Sequence, residues 1–397
     1  MSEWKPYKLR DVAEKFAMGP FGSNIKVENF REAGVPVIRG TNLTFYRYVG
    51  GDFVFLSEEK ADQLISSNCF PGDLVFTHRG TIGQVAIVPE GKFPRYVVSQ
   101  SGMKLSVKKN CLNNQFLFYF FKSSVGQYEL LKNESQVGVP SISSPLTSLK
   151  SINILCPSLP EQHAIVSVLS SLDDKIDLLY RQNKTLEAIA EALFRHLFLE
   201  RRGGLGQITE LIEVNPPRKL AKGQLAPYLE MSNVNTTVFH PVNWYLREFT
   251  SGMRFINGDT LFGRITPCLE NGKAVYVTFL EKGQVGWGST EFIILRSKGQ
   301  LHSFFTYTLV KSRDFRDYAE GCFEGSSGRQ RVNADHLSNF KIHIPEEPAI
   351  QEFNSKMEAI APKLHLNFMQ IRTLEKLRDT LLPKLMSGEV GVEYDKN

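Results

Sequence analysis

The sequence lacks the patterns of a membrane span, a secretion signal or a metal-binding scaffold. No apolar run reaches the roughly 18 residues that a membrane helix needs. The N-terminus, MSEWKPYKLRD, is polar and charged, unlike a signal peptide. The five cysteines are scattered, and neither CxxC nor HExxH occurs, which argues against a disulfide framework and against structural zinc. We therefore expect a cytoplasmic protein without a bound metal.

Signatures of catalysis are also absent. The sequence contains no GxxxxGK[ST] phosphate loop and no GxSxG nucleophile motif. The stretch NPPR, residues 215–218, is similar to the NPPY loop of adenine methyltransferases, but Arg218 stands where that loop has a base-stacking aromatic. No glycine-rich methyl-donor loop accompanies it. We predict no catalytic residue and no cofactor.

The composition is that of a globular protein with two domains. The chain has 397 residues, 42% of them hydrophobic and 22% charged, and a net charge of +5. The excess of positive charge lies in residues 1–149 and 203–347, whereas 150–202 and 348–397 are balanced. This distribution permits an anionic partner such as DNA, although ordinary surface lysines would produce it equally well.

An internal repeat is the strongest feature of the sequence. The segment LKSINILCP (149–157) resembles LSNFKIHIP (337–345) at an offset of 188 residues, and the two copies align without a gap over 149–198. Upstream, GDLVF (72–76) matches GDTLF (258–262). The chain is therefore a duplicated unit in which each copy is a globular part, closed by a strand, followed by one long helix.

The two long helices are predicted to pair as a coiled coil. Ser158 and Glu161 have capping-box spacing, and apolar residues then recur every three or four positions in both copies. The second globular part connects the end of one helix to the start of the next, which favours antiparallel pairing. A register with Asn183 opposite Asn367 gives every seam position a partner. An amphipathic helix lying on each globular core is the alternative.

Loops rich in Gly, Ser, Thr, Asn and Arg lie between the predicted strands, and such loops suit contacts with phosphates and base edges. Loops of this composition also occur in proteins that bind nothing. Both copies contain Gly-Asp-x-x-Phe followed by an arginine, Arg79 in the first and Arg264 in the second, and we interpret this as a shared feature. Loops that differ between the copies could read different DNA sequences. The candidate DNA-contacting residues in the first copy are Ser23, Asn24, Lys26, Arg39, Thr41, Asn42, His78, Arg79 and Thr81. Those in the second copy are Ser232, Asn233, Arg264, Thr266, Lys273, Arg329, Gln330 and Arg331.

Over nearly its full length the sequence resembles the specificity subunit of type I restriction-modification enzymes. The resemblance rests on the duplicated layout, on PGDLVFTHRGTIG and NGDTLFGRITPCLENGK, and on PSLPEQHAI at the entry to a long helix. It implies an α+β fold in which two target-recognition domains are joined by an antiparallel two-helix coiled coil with a pseudo-two-fold repeat. The predicted bounds are 1–157 and 203–345 for the recognition domains, and 158–202 and 346–397 for the helices.

In that family each recognition domain reads one half of a split, asymmetric site in double-stranded DNA. The helices set the spacing and dock methyltransferase subunits, through which the restriction and translocase subunit joins. S-adenosylmethionine, ATP and magnesium belong to those partners. The second helix entry reads PEEPAIQEF, with Gln351 and Glu352 reversed and displaced, so we expect a weaker second contact with a methyltransferase subunit. The alternatives are a two-headed adaptor that ignores DNA and a specificity subunit of another methyltransferase system.

Overall fold

The strands and helices of the computed structural model, which describes residues 4–22, 24–44, 47–200, 204–325 and 330–393, lie in two units. The first unit comprises residues 1–174 and 374–397, and the second comprises residues 175–373. Both long helices are present, as Leu159–Phe194 and Glu347–Met386. The predicted α+β class is confirmed. The domain bounds stay a prediction, because the division into units passes through each long helix.

The first unit is built on two four-stranded sheets. One is antiparallel throughout, in the order Ala13–Met18, Gly102–Val107, Leu74–Thr77, Val85–Ile87. The other has one parallel pair at its centre and the order Val54–Leu56, Val35–Ile38, Tyr96–Val98, Asn68–Cys69. Two-stranded ribbons pair Lys5–Lys8 with Asn153–Cys156, and Glu134–Ser135 with Ser141–Ile142.

The helices of the first unit pack on both sheets, with Asn114–Lys122 against the antiparallel sheet and Glu58–Gln63 against the mixed sheet. The short α-helices are Leu9–Val12, Glu58–Gln63, Asn114–Lys122, Ser124–Leu131 and Pro145–Ser151. Single 3₁₀ turns occupy Val27–Asn29, Gly40–Leu43 and Ile65–Ser67. The helix Asn114–Lys122 is buried from Phe116 to Phe121 in the main hydrophobic cluster, which explains why its sequence is apolar on all sides.

The second unit repeats this topology strand for strand. Its antiparallel sheet has the order Ile212–Val214, Phe292–Ser297, Thr260–Gly263, Ala274–Tyr276. Its mixed sheet has the order Tyr245–Glu248, Leu225–Leu229, Gly286–Gly288, Met253–Phe255, again with a central parallel pair. The ribbons pair Leu205–Gln207 with Lys341–His343, and Phe323–Glu324 with Arg331–Val332. The internal repeat is therefore a repeat of structure.

The helices of the second unit follow the same plan. The short α-helices are Phe305–Lys311, Arg313–Gly321 and Ala334–Leu337. The 3₁₀ turns are Ile208–Glu210 and Met231–Asn233, and the first long helix continues as a π-helical segment, Arg195–Leu199. Phe305 contacts Phe198 at a ring-centroid distance of 5.0 Å, so this segment packs into the core of the unit.

The Gly-Asp motif common to both units is part of the scaffold. In the first unit, the Asp73 carboxylate accepts from the backbone N–H of Phe70 (3.0 Å) and forms a buried ion pair with Lys104 (3.2 Å). In the second, the Asp259 carboxylate accepts from the N–H of Ile256 (2.8 Å) and from Nε of Arg296 (2.6 Å). Each aspartate is tied both to its own turn and to a neighbouring strand, which fixes the start of the central strand.

Within the second unit, the long helices run antiparallel and bring two buried amides together. Nδ2 of Asn367 donates to Oδ1 of Asn183 at 2.8 Å, in the layer that the proposed register assigns to them. Both side chains are almost fully buried. In the part of the chain that the structure describes, Nδ2 of Asn183 and Oδ1 of Asn367 have no hydrogen-bond partner. A buried amide pair of this kind fixes register at a cost in stability.

Asn183→Leu is expected to destabilise the protein by about 1–3 kcal/mol without unfolding it, because the Asn367 amide loses its buried partner. The double variant Asn183→Leu/Asn367→Leu is expected to recover this loss, since no polar group is then left unpaired. Urea unfolding of the two variants and of wild type gives both values. A double variant as unstable as the single variant would contradict the pairing.

Each unit also hydrogen-bonds a core tyrosine to a carboxylate of the first long helix. In the first unit, the Tyr119 hydroxyl donates to Asp173 (2.6 Å), which also accepts from Nη1 of Arg378 (3.2 Å). In the second, the hydroxyl of Tyr307, the equivalent of Tyr119, donates to Glu187 (2.8 Å). Burial raises the pKa of Asp173, and it raises that of Glu187 to about 7.

An amide clamp holds each long helix to its own unit at the helix entry. Gln162 is fully buried; its Oε1 accepts from the N–H of Asn113 (2.8 Å) and its Nε2 donates to the carbonyl of Cys111 (3.1 Å). In the second unit the corresponding clamp is formed by Asn354, one helical turn further along. Its side chain accepts from the N–H of His302 (2.8 Å) and donates to the carbonyl of Gln300 (2.6 Å).

The clamp changes the interpretation of the altered second entry. Gln162 is committed to backbone groups of its own unit, so it is not exposed for a partner subunit. Asn354 performs the same task in the second unit, and Gln351 instead donates to Glu347 on the helix surface (3.2 Å). The displaced glutamine therefore gives no reason to expect a weaker second contact.

Candidate nucleic-acid interface

Three loops of the first unit meet through backbone hydrogen bonds around His78. The N–H of His78 donates to the carbonyl of Ser101 (2.9 Å), and its own carbonyl accepts from the N–H of Ile142 (2.9 Å). Next to them, the N–H of Gly80 donates to the carbonyl of Pro140 (2.9 Å). We call this set of three backbone hydrogen bonds, which joins the loops of His78, Ser101 and Ile142, the frame of the unit.

The second unit has the same frame around Arg264. The N–H of Arg264 donates to the carbonyl of Glu291 (3.0 Å), and its carbonyl accepts from the N–H of Val332 (2.9 Å). The N–H of Thr266 donates to the carbonyl of Gln330 (3.1 Å). The three bonds match those of the first unit one for one, so the backbone is shared while the side chains differ.

The matching frames correct one prediction. Counted from the shared Gly-Asp pair, Arg264 is equivalent to His78, and Ile265 is equivalent to Arg79. The bridges agree with this, because Arg79 pairs with Ser141 and Ile265 pairs with Arg331. The interpretation of Arg79 and Arg264 as one shared feature is therefore wrong, and this position differs between the units.

The frame of the first unit carries mainly neutral side chains. Nε2 of His78 lies 3.2 Å from the carbonyl oxygen of Gln100, which accepts its hydrogen. Burial lowers the pKa of His78, so the imidazole is neutral at pH 7. The hydroxyls of Ser99 and Ser101 lie 3.4 Å apart, and Arg79, which pairs with Ser141, is exposed.

The frame of the second unit carries an ion-pair cluster. Glu291 accepts from Arg331 through Nε (2.9 Å) and Nη2 (2.8 Å), and from Nε of Arg264 (3.3 Å). The hydrogen bond from Arg331 is the main cause that lowers the pKa of Glu291, and Arg264 adds to it. The carboxylate is therefore ionised at neutral pH and holds two guanidinium groups on one surface.

Two further loops of the first unit approach its frame. Gly22 lies so close to Gln100 that a Cβ added to it would sit 2.5 Å from Oε1 of Gln100. A Cβ on Gly40 would lie 3.4 Å from Gln84, so the loops near 22, 40 and 78 converge. Arg39 is partly exposed, and Ser23 lies outside the described residues. The exposed predicted residues are Asn24, Lys26, Thr41, Arg79 and Thr81.

Asn42 has a different environment from the one we predict. It is 1% exposed, and its Oδ1 accepts from the N–H of Arg39 (2.9 Å). Its Nδ2 donates to the carbonyls of Gly50 and Asp52, each at 2.9 Å. The side chain braces its own loop from inside, a position that does not suit the predicted base contact.

The predicted residues of the second unit also gather at its frame. Nζ of Lys273 donates to the carbonyl of Met231 (3.0 Å), which joins the loop of Ser232 and Asn233 to the central hairpin. The hydroxyl of Ser232 donates to Glu230 (3.1 Å). Thr266 is buried, Gln330 is partly exposed and Arg331 is exposed, while Arg329 lies outside the described residues.

The NPPR stretch has a structural role. Asn215 exchanges hydrogen bonds with the backbone of Ile294, donating from its N–H (2.7 Å) and accepting at Oδ1 (2.9 Å). Nη2 of Arg218 donates to the buried carboxylate of Asp259 (3.4 Å). Neither side chain is arranged to hold a flipped base.

The described residues contain no group of three His, Cys, Asp or Glu side chains that could bind a metal ion. Within the same ranges, no helix is long and apolar enough to cross a membrane.

Sequence reasoning missed Gln100, Ser101 and Glu291. They do not belong to a loop of distinctive composition, and Glu291 resembles any surface acid. The internal repeat could have identified two of them. The strands Gly102–Val107 and Phe292–Ser297 are equivalent, so Ser101 and Glu291, which precede them, occupy the same position in the two copies.

Comparisons with known proteins agree with this architecture. Residues 1–188 match the family model described as type I restriction modification DNA specificity domain. The chain is 27% identical to the MjaIX type I restriction enzyme specificity subunit of Methanocaldococcus jannaschii, with 98% of this chain and 94% of that protein covered. It is 24% identical to the HindI specificity subunit of Haemophilus influenzae, with coverages of 80% and 86%.

A solved structure shows the same fold. The S subunit of a type I restriction-modification system from M. genitalium matches with a TM-score of 0.58 at 15% identity, covering 97% of this chain and 96% of that one.

Proposed function

We propose that this chain, whose residues 1–188 match the family model described as type I restriction modification DNA specificity domain, is the DNA specificity subunit of a type I restriction-modification complex. Each β-rich unit reads one half of a split, asymmetric site in double-stranded DNA. Such a subunit selects the sequence and leaves the chemistry to its partners. Its work on cellular DNA places it in the cytoplasm.

The observation that carries this proposal is the pair of matching backbone frames with different side chains. The shared scaffold carries the partly exposed Ser101 and Ser141 over a buried His78 in one unit, and Arg264, Glu291 and Arg331 in the other, which suits two readers of unlike sequences. Hydrogen-bonding side chains on loops are the means by which proteins distinguish base edges. Residues 1–149 carry 17 basic and 13 acidic side chains, and this excess supports additional phosphate contacts. Residues 203–347 carry 16 and 15, so the second unit contributes less to this attraction.

The paired helices support a role in spacing and docking. The first long helix has 36 residues, about 54 Å at 1.5 Å per residue. We propose recognition domains at 1–157 and 203–345, with helices at 158–202 and 346–397 that hold them apart and dock methyltransferase subunits. The restriction and translocase subunit would join through these. The surfaces of the helices that do not face their own units are the candidate docking sites.

Deleting the gene is expected to abolish a split adenine-methylation motif with a fixed gap. Single-molecule sequencing of methylated adenines, in cells with and without the gene and with the partner methyltransferase expressed, measures this directly. Replacing residues 1–149 by the equivalent segment of a relative should change one half of the motif only, and replacing residues 203–345 should change the other half.

Two outcomes would contradict the proposal. If the methylation motifs are unchanged on deletion while the partners are expressed, the chain does not specify DNA, and the two-headed adaptor becomes the leading interpretation. That adaptor predicts binding with almost no dependence on salt, whereas phosphate contacts predict affinity that falls steeply as salt rises. If each replacement changes both halves, the units do not read separately.

A further inference from the structure

The Glu291 cluster, defined as Glu291 with Arg264 and Arg331, has no counterpart in the first unit. The equivalent positions there hold Ser101, His78 and Ser141 on the same backbone frame. An acid between two arginines is not needed to build the frame, because the first unit forms it without any ion pair among these residues. The cluster is therefore an addition to the scaffold.

The geometry fixes the two arginines in different ways. Arg331 presents its Nε and Nη2 edge to the carboxylate, at 2.9 and 2.8 Å. Arg264 uses only Nε, at 3.3 Å. Among the described residues, none accepts a hydrogen bond from Nη1 or Nη2 of Arg264, and its side chain is 33% exposed. Nη1 and Nη2 of Arg264 are thus held in a defined orientation and remain accessible. The backbone N–H and carbonyl of Arg264 are both hydrogen-bonded within the frame.

We propose that Glu291 is a positioning residue that fixes Arg264 to read a guanine in the half-site recognised by the second unit. This inference rests on the proposed function and adds the base that is recognised, guanine, and the residue that positions the recognising arginine, Glu291. A guanidinium donates two parallel hydrogen bonds to O6 and N7 of guanine in the major groove, a pattern that no other base offers. A carboxylate that holds Nε removes much of the side-chain freedom that such a contact otherwise costs.

The roles of the three side chains follow from their contacts. Glu291 does not itself read a cytosine amino group, because both carboxylate oxygens already accept from guanidinium groups. Arg331 shares the carboxylate and keeps the cluster at a net charge of +1, favourable next to phosphates. The first unit has a neutral His78 in place of Arg264, so its half-site should lack this guanine contact.

The test is a chromosomal Glu291→Gln allele of the full-length gene, with the adenine-methylation motif sequenced in the native host. The half-site of the second unit is expected to become degenerate at one base pair. Discrimination for guanine there should fall roughly 5- to 150-fold, the range for one bidentate contact. The other half-site and the gap should stay unchanged.

Two variants serve as controls. Glu281→Gln removes an exposed carboxylate of the same unit that lies outside the cluster, and it should leave the whole motif unchanged. Arg264→Lys keeps the charge but loses the fork, so it should relax the same base pair as Glu291→Gln. If Glu291→Gln does not accumulate as folded protein, Glu291→Asp takes its place, because the shorter side chain keeps the charge but withdraws the carboxylate from Nε of Arg264.

The outcomes separate this inference from the proposed function. A wild-type motif that does not depend on the gene defeats the proposed function itself. A gene-dependent motif that Glu291→Gln and Arg264→Lys leave intact, or weaken equally at every position, overturns the guanine assignment alone. Relaxation of one base pair by Arg264→Lys but not by Glu291→Gln would show that Arg264 reads without being positioned by Glu291, which also contradicts the proposal.

Discussion

Arg378→Ala is expected to lower the free energy of unfolding by roughly 3–5 kcal/mol, the usual cost of removing one member of a buried ion pair. Arg378 and Asp173 are 9% and 5% exposed, and Nη1 of Arg378 donates to Asp173 at 3.2 Å. Without the guanidinium, the Asp173 carboxylate, whose pKa burial already raises, keeps the hydrogen bond from the Tyr119 hydroxyl and the charge of Arg47 but loses its ion-pair partner. Urea unfolding of the full-length protein measures the loss.

The second unit supplies the control for this variant. At the offset of 188 residues, Ala361 and Ala190 stand where the first unit has Asp173 and Arg378. The double variant Asp173→Ala/Arg378→Ala therefore copies a pairing that the protein already contains. We expect it to recover most of the loss, because no buried charge is then left alone. A double variant less stable than Arg378→Ala would show that the two side chains act independently.

Glu187→Gln is expected to gain stability over wild type as the pH rises from about 4.5 to about 7, by roughly 3 kcal/mol in total. Burial is the main cause that raises the pKa of Glu187 from 4.5 to about 7, although the Tyr307 hydroxyl and Lys311 favour its charged form. Between these values the folded protein retains a proton that the unfolded chain releases. Rising pH therefore destabilises wild type but not the neutral glutamine variant.

The pH dependence of wild-type stability alone would not reveal the contribution of Glu187. Burial lowers the pKa of His240 to about 4, so between about pH 4 and pH 6.5 the unfolded chain binds a proton that the folded protein does not. Stability from His240 thus rises with pH while that from Glu187 falls. The measurement is the difference in unfolding free energy between Glu187→Gln and wild type at pH 5, 6 and 7.5. A difference that does not change with pH would contradict the raised pKa.

The repeat made most of the fold predictable. Matching apolar positions in LKSINILCP and LSNFKIHIP located the closing strands, found at Asn153–Cys156 and Lys341–His343. The 3–4 spacing located both long helices. The pairing of the N-terminal strand Lys5–Lys8 with Asn153–Cys156 could not be predicted, because contacts between strands so distant in sequence depend on the whole unit.

The candidate site was less predictable. Loop composition identified Arg264 and Arg331. It also selected Asn42, whose side-chain amide makes all its hydrogen bonds to the backbone of its own loop. Composition cannot separate these cases, since an asparagine that braces a turn and one that meets a base look alike in sequence. Glu291 was missed because its role depends on its contacts with Arg264 and Arg331, which the sequence does not show.

The ion pair of Asp173 and Arg378 also bears on the history of the chain. A protein made of two identical first halves, paired as these helices pair, would set each Asp173 against an Ala190, and one made of two second halves would set each Arg378 against an Ala361. Both assemblies would bury charges of one sign without partners. Divergence after the gene duplication has therefore made the halves unequal, and each half now associates with the other more favourably than with a copy of itself.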